Sequence, residues 1–146
     1  MKRGGNAVDA AVATALTLGV VQPAFSGVGG GGFLLIHLAK NNENIVIDYR
    51  ERAPKLATPD MFKLGRDGEV VNGENCIGFK AVAVPGTLAG LSLALQRYGT
   101  MTLAELAQDA IEYGKTGFEV SEFLASIMLR DVDSASDKFR GYSEAG

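Results

Sequence analysis

The residues best suited to chemistry in this chain are Asp48, Arg50 and Glu51, which end a run of apolar residues. The alternation of a β-strand places Asp48 and Arg50 on one face, together with Val46. An arginine at the end of a strand can present its planar guanidinium to a carboxylate through two parallel hydrogen bonds. The pattern therefore indicates a carboxylate-binding site at Arg50, although a surface ion pair with Asp48 or Glu51 is by spacing alone the commoner arrangement.

The sequence offers no conventional nucleophile that is activated by a base. Its single histidine, His37, lies inside an apolar run, whereas a Ser-His or Cys-His pair needs an accessible histidine beside its nucleophile. The single Cys76 excludes an internal disulfide and a multi-cysteine metal site. We therefore expect no catalytic residue, no metal site and no cofactor in this chain.

The composition indicates an ordinary globular protein. The chain has 146 residues, of which 47% are hydrophobic and 21% charged, and its net charge is -3. Because this charge supplies no basic field, we expect no nucleic-acid partner. The most apolar run, residues 10–21, is too short to span a bilayer, and the basic start of the chain does not fit a signal peptide.

A glycine-rich loop precedes the first predicted strand. Five of the six residues 27–32 are glycines, and Phe33 follows them. Phosphate-binding glycine loops follow a strand and open a helix, so this order makes a poor phosphate cradle. Because glycine lacks a Cβ, the loop predicts a chain held closely against a neighbouring strand or a small substrate.

The elements that must position these residues begin with a helix. Asn6 predicts an N-cap for a helix over residues 7–18 that is apolar on nearly every side, and Asp9 suits the dipole of its first turn. Residues 33–38 predict a buried strand and 45–50 a second strand, so that 33–50 form a hairpin with a turn at 41–44. A turn of helix is expected over 58–62 and a short strand over 80–84.

Three further helices are predicted in the second half of the chain. The first opens at Pro85 and ends at Gly99, and the second starts at a capping box of Thr102 and Glu105 and ends between residues 114 and 117. Ser121 caps the last helix. These elements predict an α/β (α+β layered) fold of single-domain size, without separating the possible layered architectures.

Six motifs in a fixed order carry a family resemblance: GGNAVDAAVA, SGVGGGGF, DYRERAP, TPDMF, VAVPGTLAGL and RYGTMTLAEL. The chain resembles the gamma-glutamyltransferase (glutathione hydrolase) family from Gly4 to about Val120. The resemblance implies a partial αββα sandwich of the N-terminal nucleophile hydrolase type. It also implies that residues 1–146 are a single partial domain, a fragment from the N-terminal part of the large subunit.

The resemblance implies a substrate-binding role for Arg50. The first arginine of the family motif DxRExAP contacts the α-carboxylate of the γ-glutamyl group, and Glu51, Ala53 and Pro54 match the motif around Arg50. Arg52 stands at a variable position and receives no role. The family's nucleophile is a threonine that autocleavage frees at the start of the small subunit, and no threonine of this chain lies in that motif.

The implied parent enzyme cleaves γ-glutamyl amides such as glutathione through a threonine acyl-enzyme and transfers the acyl group to water or an amino acid. Its expected partners are the rest of the large subunit and the small subunit, in the periplasm or outside the cell, although the residues leave a cytoplasmic location open. Two alternatives stay open. One is a related acylase, such as a cephalosporin acylase or a γ-polyglutamate depolymerase, and the other is a non-catalytic partner-binding fragment.

Overall fold

The computed structural model describes residues 4–129, which divide into two compact units. One unit holds residues 4–27 and 98–129, and the other holds Val28–Arg97. In chain order the elements are α1 (Ala7–Val21), β1 (Phe33–Leu38), β2 (Glu43–Asp48), two 3-10 turns (Val71–Gly73 and Phe79–Ala81), α2 (Thr87–Tyr98), α3 (Leu103–Leu106) and α4 (Gln108–Thr116). Residues 122–129 form a further helix.

Asn6 is the N-cap of α1 as predicted, and with Asp9 it forms a capping box. The side-chain oxygen of Asn6 accepts hydrogen bonds from the backbone nitrogens of Val8 and Asp9 at 2.8 and 3.1 Å. In return, the Asp9 carboxylate accepts one from the Asn6 backbone nitrogen at 2.7 Å. These bonds satisfy amide groups that have no partner within the helix.

Asp9 was expected only to interact with the dipole of the first turn. It also accepts hydrogen bonds from the residues that precede α3. Its carboxylate accepts hydrogen bonds from the Thr100 hydroxyl at 2.6 Å, the Thr100 amide at 2.9 Å and the Met101 amide at 3.1 Å. The residue is 1% exposed. Burial raises the pKa of Asp9, but the hydrogen bonds from Thr100, Asn6 and Met101 lower the pKa more, to about 2.

The apolar core of this first unit lies on one side of α1, which packs against α3 and α4. The buried apolar side chains belong to both halves of the unit: Val12, Leu16, Leu106, Ala110 and Leu124. The helix that is apolar on nearly every side is therefore buried on one side only among the described residues, since Leu18 is 40% exposed. A stripe of contacts along one side is typical of a helix at the edge of a core.

The helix predicted after Thr102 is confirmed, with one break. Thr102 and Glu105 form the expected capping box, but α3 ends at Ala107, which is also the N-cap of α4. The helix α4 ends at Gly117, whose φ of 84° lies in the left-handed region that favours glycine. Ser121 caps residues 122–129 as predicted, because its hydroxyl accepts a hydrogen bond from the Leu124 amide at 3.2 Å.

The second unit is built around an antiparallel hairpin of β1 and β2, whose register pairs Phe33 with Asp48 and Leu38 with Glu43. The second strand begins and ends two residues earlier than predicted, so that Arg50 lies beyond its end. The turn accordingly lies at 39–42, where Asn42 adopts a φ of 52°. One face of the hairpin buries Ile36 and Ile47. The expectation that β1 is buried is wrong for its other face, whose apolar residues are exposed: Phe33, Leu35 and Val46.

Two short elements differ from the prediction. Residues 58–62 form a hydrogen-bonded turn from Thr58 to Met61 rather than a turn of helix, with Pro59 at the second position that turns favour. Residues 80–84 form no strand, because 79–81 are a 3-10 turn and only Val84 pairs, with Arg52. Pro85 has no amide hydrogen and cannot extend that pairing.

Candidate functional site

The short segment after β2 is held at both ends by backbone pairs. Tyr49 exchanges hydrogen bonds with Gly32, at 2.9 and 3.4 Å between nitrogen and oxygen, and so continues the hairpin by one residue. Arg52 exchanges two more with Val84, at 2.8 and 3.2 Å. The residues between them, Arg50 among them, are therefore fixed to the glycine loop on one side and to the approach to α2 on the other.

Glycines from two parts of the unit make room for this segment. A Cβ at Gly31 would lie 2.5 Å from the Tyr49 carbonyl oxygen. A Cβ at Gly86 would meet the same oxygen, and one at Gly90 would meet the Tyr49 ring. Gly30 joins the glycine loop to the start of α2. Its carbonyl oxygen accepts hydrogen bonds from the backbone amides of Gly86 and Thr87 at 2.9 and 3.1 Å.

These contacts decide between the two interpretations of the glycine loop. The loop lies against a neighbouring stretch of backbone, and any side chain at Gly31 would displace that backbone. Sequence reasoning missed that Gly86 and Gly90 do the same from the start of α2. The signal was present, since these two glycines are four residues apart and so share one face of a helix.

The Arg50 side chain is largely open to solvent, with 59% of its side-chain surface exposed. Its Nη1 lies 3.1 Å from Oε2 of Glu51, an ion pair that lacks the alignment of a hydrogen bond. Asp48 holds the backbone instead, because its carboxylate accepts a hydrogen bond from the Arg50 amide at 3.0 Å. The guanidinium therefore keeps most of its donors available for a ligand.

Two open cavities meet at this segment. One, of about 490 Å³, is lined by residues of β2 and α2 and by the segment itself: Ile47, Tyr49, Arg50, Val84, Gly86 and Leu93 among them. The other, of about 620 Å³, is lined by the same segment and by the loops after it: Gly29, Arg50, Arg52, Phe62, Asn75 and Lys80 among them. Arg50 lies on the wall of both, so it can meet a ligand in either.

The other residues considered for chemistry lie apart from this arrangement. His37 is near the turn of the hairpin, at the opposite end from Arg50, and its ring nitrogen lies 2.9 Å from the Asn44 side chain across the strands. Cys76 is an exposed free thiol. Among residues 4–129 no three His, Cys, Asp or Glu side chains are grouped as metal ligands. The guanidinium of Arg50 is the group of this arrangement that can bind and orient a carboxylate.

The comparisons with known proteins agree on one family. The family model described as Gamma-glutamyltranspeptidase matches residues 1–143. The glutathione hydrolase proenzyme of Bacillus subtilis (strain 168) is 44% identical over 126 residues, which are 86% of this chain and 21% of the relative. The acylase ACY 1 proenzyme of Pseudomonas sp. (strain V22) is 42% identical over 142 residues, which are 94% of this chain and 25% of the relative.

A solved structure supports the same family. The gamma-glutamyltranspeptidase of Helicobacter pylori matches with a TM-score of 0.83 and 44% identity, over 90% of this chain and 37% of that one. The chain thus spans about a fifth to a quarter of the length of the curated relatives it matches. Its fold is a partial α/β arrangement of the N-terminal nucleophile hydrolase type, as the family resemblance implied. The chain belongs to the gamma-glutamyltranspeptidase family.

Proposed function

We propose that this chain is the N-terminal part of the large subunit of an enzyme that cleaves γ-glutamyl amides such as glutathione. The parent transfers the γ-glutamyl group through a threonine acyl-enzyme to water or to an amino acid. The observation that carries this proposal is the placement of Arg50, whose backbone is held between two pairs while its guanidinium borders two cavities.

The proposed task of this wall of the pocket is to bind and orient the donor. The guanidinium donates two hydrogen bonds to the α-carboxylate of the γ-glutamyl group, and this bidentate geometry sets the direction of the acyl chain. Glu51 holds one edge of the guanidinium at 3.1 Å and leaves the rest for the ligand. A fixed α-carboxylate places the γ-carbonyl at a constant distance, where a nucleophile from the small subunit can reach it.

The partners in this proposal are the remaining large-subunit chain and the small subunit, which supplies the threonine. The proposed location of the parent is the periplasm or the outside of the cell, and the family resemblance supports it. No helix among residues 4–129 is long and apolar enough to cross a membrane.

The full-length gene product tests the proposal. We expect it to cleave itself into two subunits and then to release chromophore from a γ-glutamyl anilide. The same assay can be made on a chimera in which this chain replaces the matching stretch of the Bacillus subtilis relative. A cleaved, folded protein that does not use γ-glutamyl anilide in either form contradicts the proposal.

A related acylase is the second candidate, because the acylase relative matches 94% of this chain. Arg50 does not separate the two, since a glutaryl group keeps the carboxylate and lacks only the α-amino group. The ratio of kcat/KM for γ-glutamyl anilide and glutaryl anilide decides between them. A ratio above one favours the γ-glutamyl enzyme, and a ratio below one favours the acylase.

A further inference from the structure

The cavity of about 620 Å³ is lined by more cationic side chains than are paired with carboxylates. Three cationic residues line it: Arg50, Arg52 and Lys80. Arg50 is paired with Glu51, and Lys80 Nζ lies 2.7 Å from Oε2 of Glu74. Within residues 4–129, Arg52 forms no ion pair, and it is exposed. One positive charge in this cavity is therefore available for an anion.

Arg52 is also as well positioned as Arg50. Two backbone hydrogen bonds hold it to Val84, so its side chain starts from a fixed point of the cavity wall. Lys80 enters the same wall from the 3-10 turn Phe79–Ala81, and Asn75 adds a side-chain amide. A guanidinium, an ammonium and an amide on one wall are hydrogen-bond donors that a carboxylate can accept from.

The spacing fits a substrate with two carboxylates. In an extended chain, residues two apart are separated by about 7 Å, and long arginine side chains widen that range by several ångström. The two terminal carboxylates of an extended γ-glutamyl tripeptide lie on the order of 10 Å apart. Arg50 and Arg52 can therefore hold both ends of one such substrate.

We propose that Arg52, assisted by Lys80, binds a second substrate carboxylate, that of the peptide on the far side of the scissile amide. This inference rests on the proposed function, because it takes Arg50 as the site of the α-carboxylate. The same chemistry would serve the carboxylate of an incoming amino-acid acceptor, which occupies the place that the leaving peptide vacates. Arg52 is then a residue that selects carboxylate-bearing peptides over neutral amides.

The test compares two donors that differ only in this carboxylate: glutathione, and glutathione esterified at its glycine. In the full-length gene product, Arg52→Met should raise KM for glutathione and lower kcat/KM roughly 3- to 10-fold, as expected for one charge-assisted contact in a solvent-exposed cavity. The ester and γ-glutamyl anilide should be unaffected. Lys80→Met should act in the same direction, and Arg52→Lys should restore part of the loss.

Lys40→Met is the matched control, since Lys40 is an exposed cation near the turn of the hairpin and its loss changes the net charge equally.

A second experiment measures transfer of the γ-glutamyl group to glycylglycine and to glycinamide. Loss confined to glutathione hydrolysis assigns the carboxylate to the leaving peptide, and loss confined to glycylglycine assigns it to the acceptor. Equal loss on acid and ester, or none on either, overturns the proposal.

Failure of the proposed function gives a different experimental result from failure of the Arg52 proposal. In that case the unaltered protein does not use γ-glutamyl anilide at all, and binding of glutathione and of its ester is compared by calorimetry. Weaker binding of glutathione alone by the Arg52→Met protein still supports the inference. Equal binding of acid and ester by the unaltered protein, or no binding of glutathione, overturns it.

Discussion

Arg50 is held by its backbone and left open at its side chain, so its proposed ligand-binding role can be tested without disturbing the fold. Its amide donates to Asp48 and its neighbours pair with the glycine loop and with Val84. None of these bonds uses the guanidinium. Replacing the side chain should therefore change binding much more than stability.

In the full-length gene product, Arg50→Met should lower kcat/KM for γ-glutamyl anilide by roughly 10-fold to more than 100-fold. A charge-assisted hydrogen bond contributes about 1.5–3 kcal/mol, and about 1.4 kcal/mol corresponds to a tenfold change. Arg50→Lys should fall between, because it keeps the charge and loses the bidentate geometry. The measurement is steady-state kinetics on both variants.

The control donor is 4-aminobutyryl anilide, which lacks the α-carboxylate. On this donor the loss should shrink, because it never makes the contact. Equal losses on both donors would show that Arg50 serves the structure through Glu51 rather than the substrate.

Asp9 joins the start of α1 to the residues before α3, so we expect the stability of the first unit to depend on it. Its buried carboxylate accepts hydrogen bonds from Asn6, Thr100 and Met101. Asp9→Asn leaves some of these donors without an acceptor and should lower the free energy of unfolding by about 2–4 kcal/mol. Urea denaturation of the full-length product measures this, with Glu119→Gln, an exposed carboxylate of the same unit, as the control.

The pH dependence has a defined sign. Because the folded pKa of Asp9 is about 2 and its ordinary value is 3.8, the stabilisation is fully present above about pH 4 and is lost as the pH falls through the folded pKa. The loss should reach about 2 kcal/mol. In the Asp9→Asn protein this part of the acid transition should be absent. An unchanged acid transition would mean that other carboxylates account for it.

At the scale of elements, the approach of α2 to the segment after β2 depends on glycine. A Cβ at Gly86 meets the Tyr49 carbonyl oxygen, which is backbone and cannot turn aside. Gly86→Ala should therefore displace either α2 or the segment that carries Arg50. A displacement of about 1 Å at a binding residue can lower the rate on the order of 100-fold.

The measurement is kcat/KM for γ-glutamyl anilide together with thermal unfolding of the Gly86→Ala protein. The matched control is Gly114→Ala, because a Cβ at Gly114 in α4 meets nothing within 4 Å. That change should stabilise the helix by roughly 0.5–1 kcal/mol and leave activity unaltered. Native stability and activity in Gly86→Ala would contradict the close packing.

At the scale of the whole molecule, the isolated chain of 146 residues should show no hydrolase or transferase activity. No threonine of this chain lies in the family's nucleophile motif. The assay is release of chromophore from a γ-glutamyl anilide by protein purified from a host that lacks such an enzyme. Stable turnover by the purified chain would contradict the proposal that the nucleophile lies in the small subunit.

The isolated chain should also associate or be poorly soluble. The outer face of the hairpin exposes Phe33, Leu35 and Val46 at 63, 69 and 63% of their surfaces. Contiguous apolar surface of this kind favours association. Leu35→Lys should reduce association in sizing experiments more than Leu56→Lys, which alters an exposed leucine outside the hairpin. A sharp monomer peak with a cooperative melt for the unaltered chain would contradict this prediction.

The sequence by itself determined the local structure and the family. Caps at Asn6, Thr102 and Ser121 and the order of the motifs depend on residues close together in the chain. Such signals are readable because a few neighbouring side chains and amides produce them. Boundaries were less accurate where pairing decided them, as in residues 80–84, where only Val84 found a partner.

Only the tertiary structure decided which distant residues meet. It brought Gly31, Gly86 and Gly90 onto Tyr49, gave Asp9 its donors more than ninety positions away, and paired the Arg50 guanidinium with Glu51 instead of Asp48. These contacts depend on the packing of whole elements, which local propensity does not encode. The identity of a carboxylate or a glycine is known from the sequence alone. Its role depends on the residues that the fold places beside it.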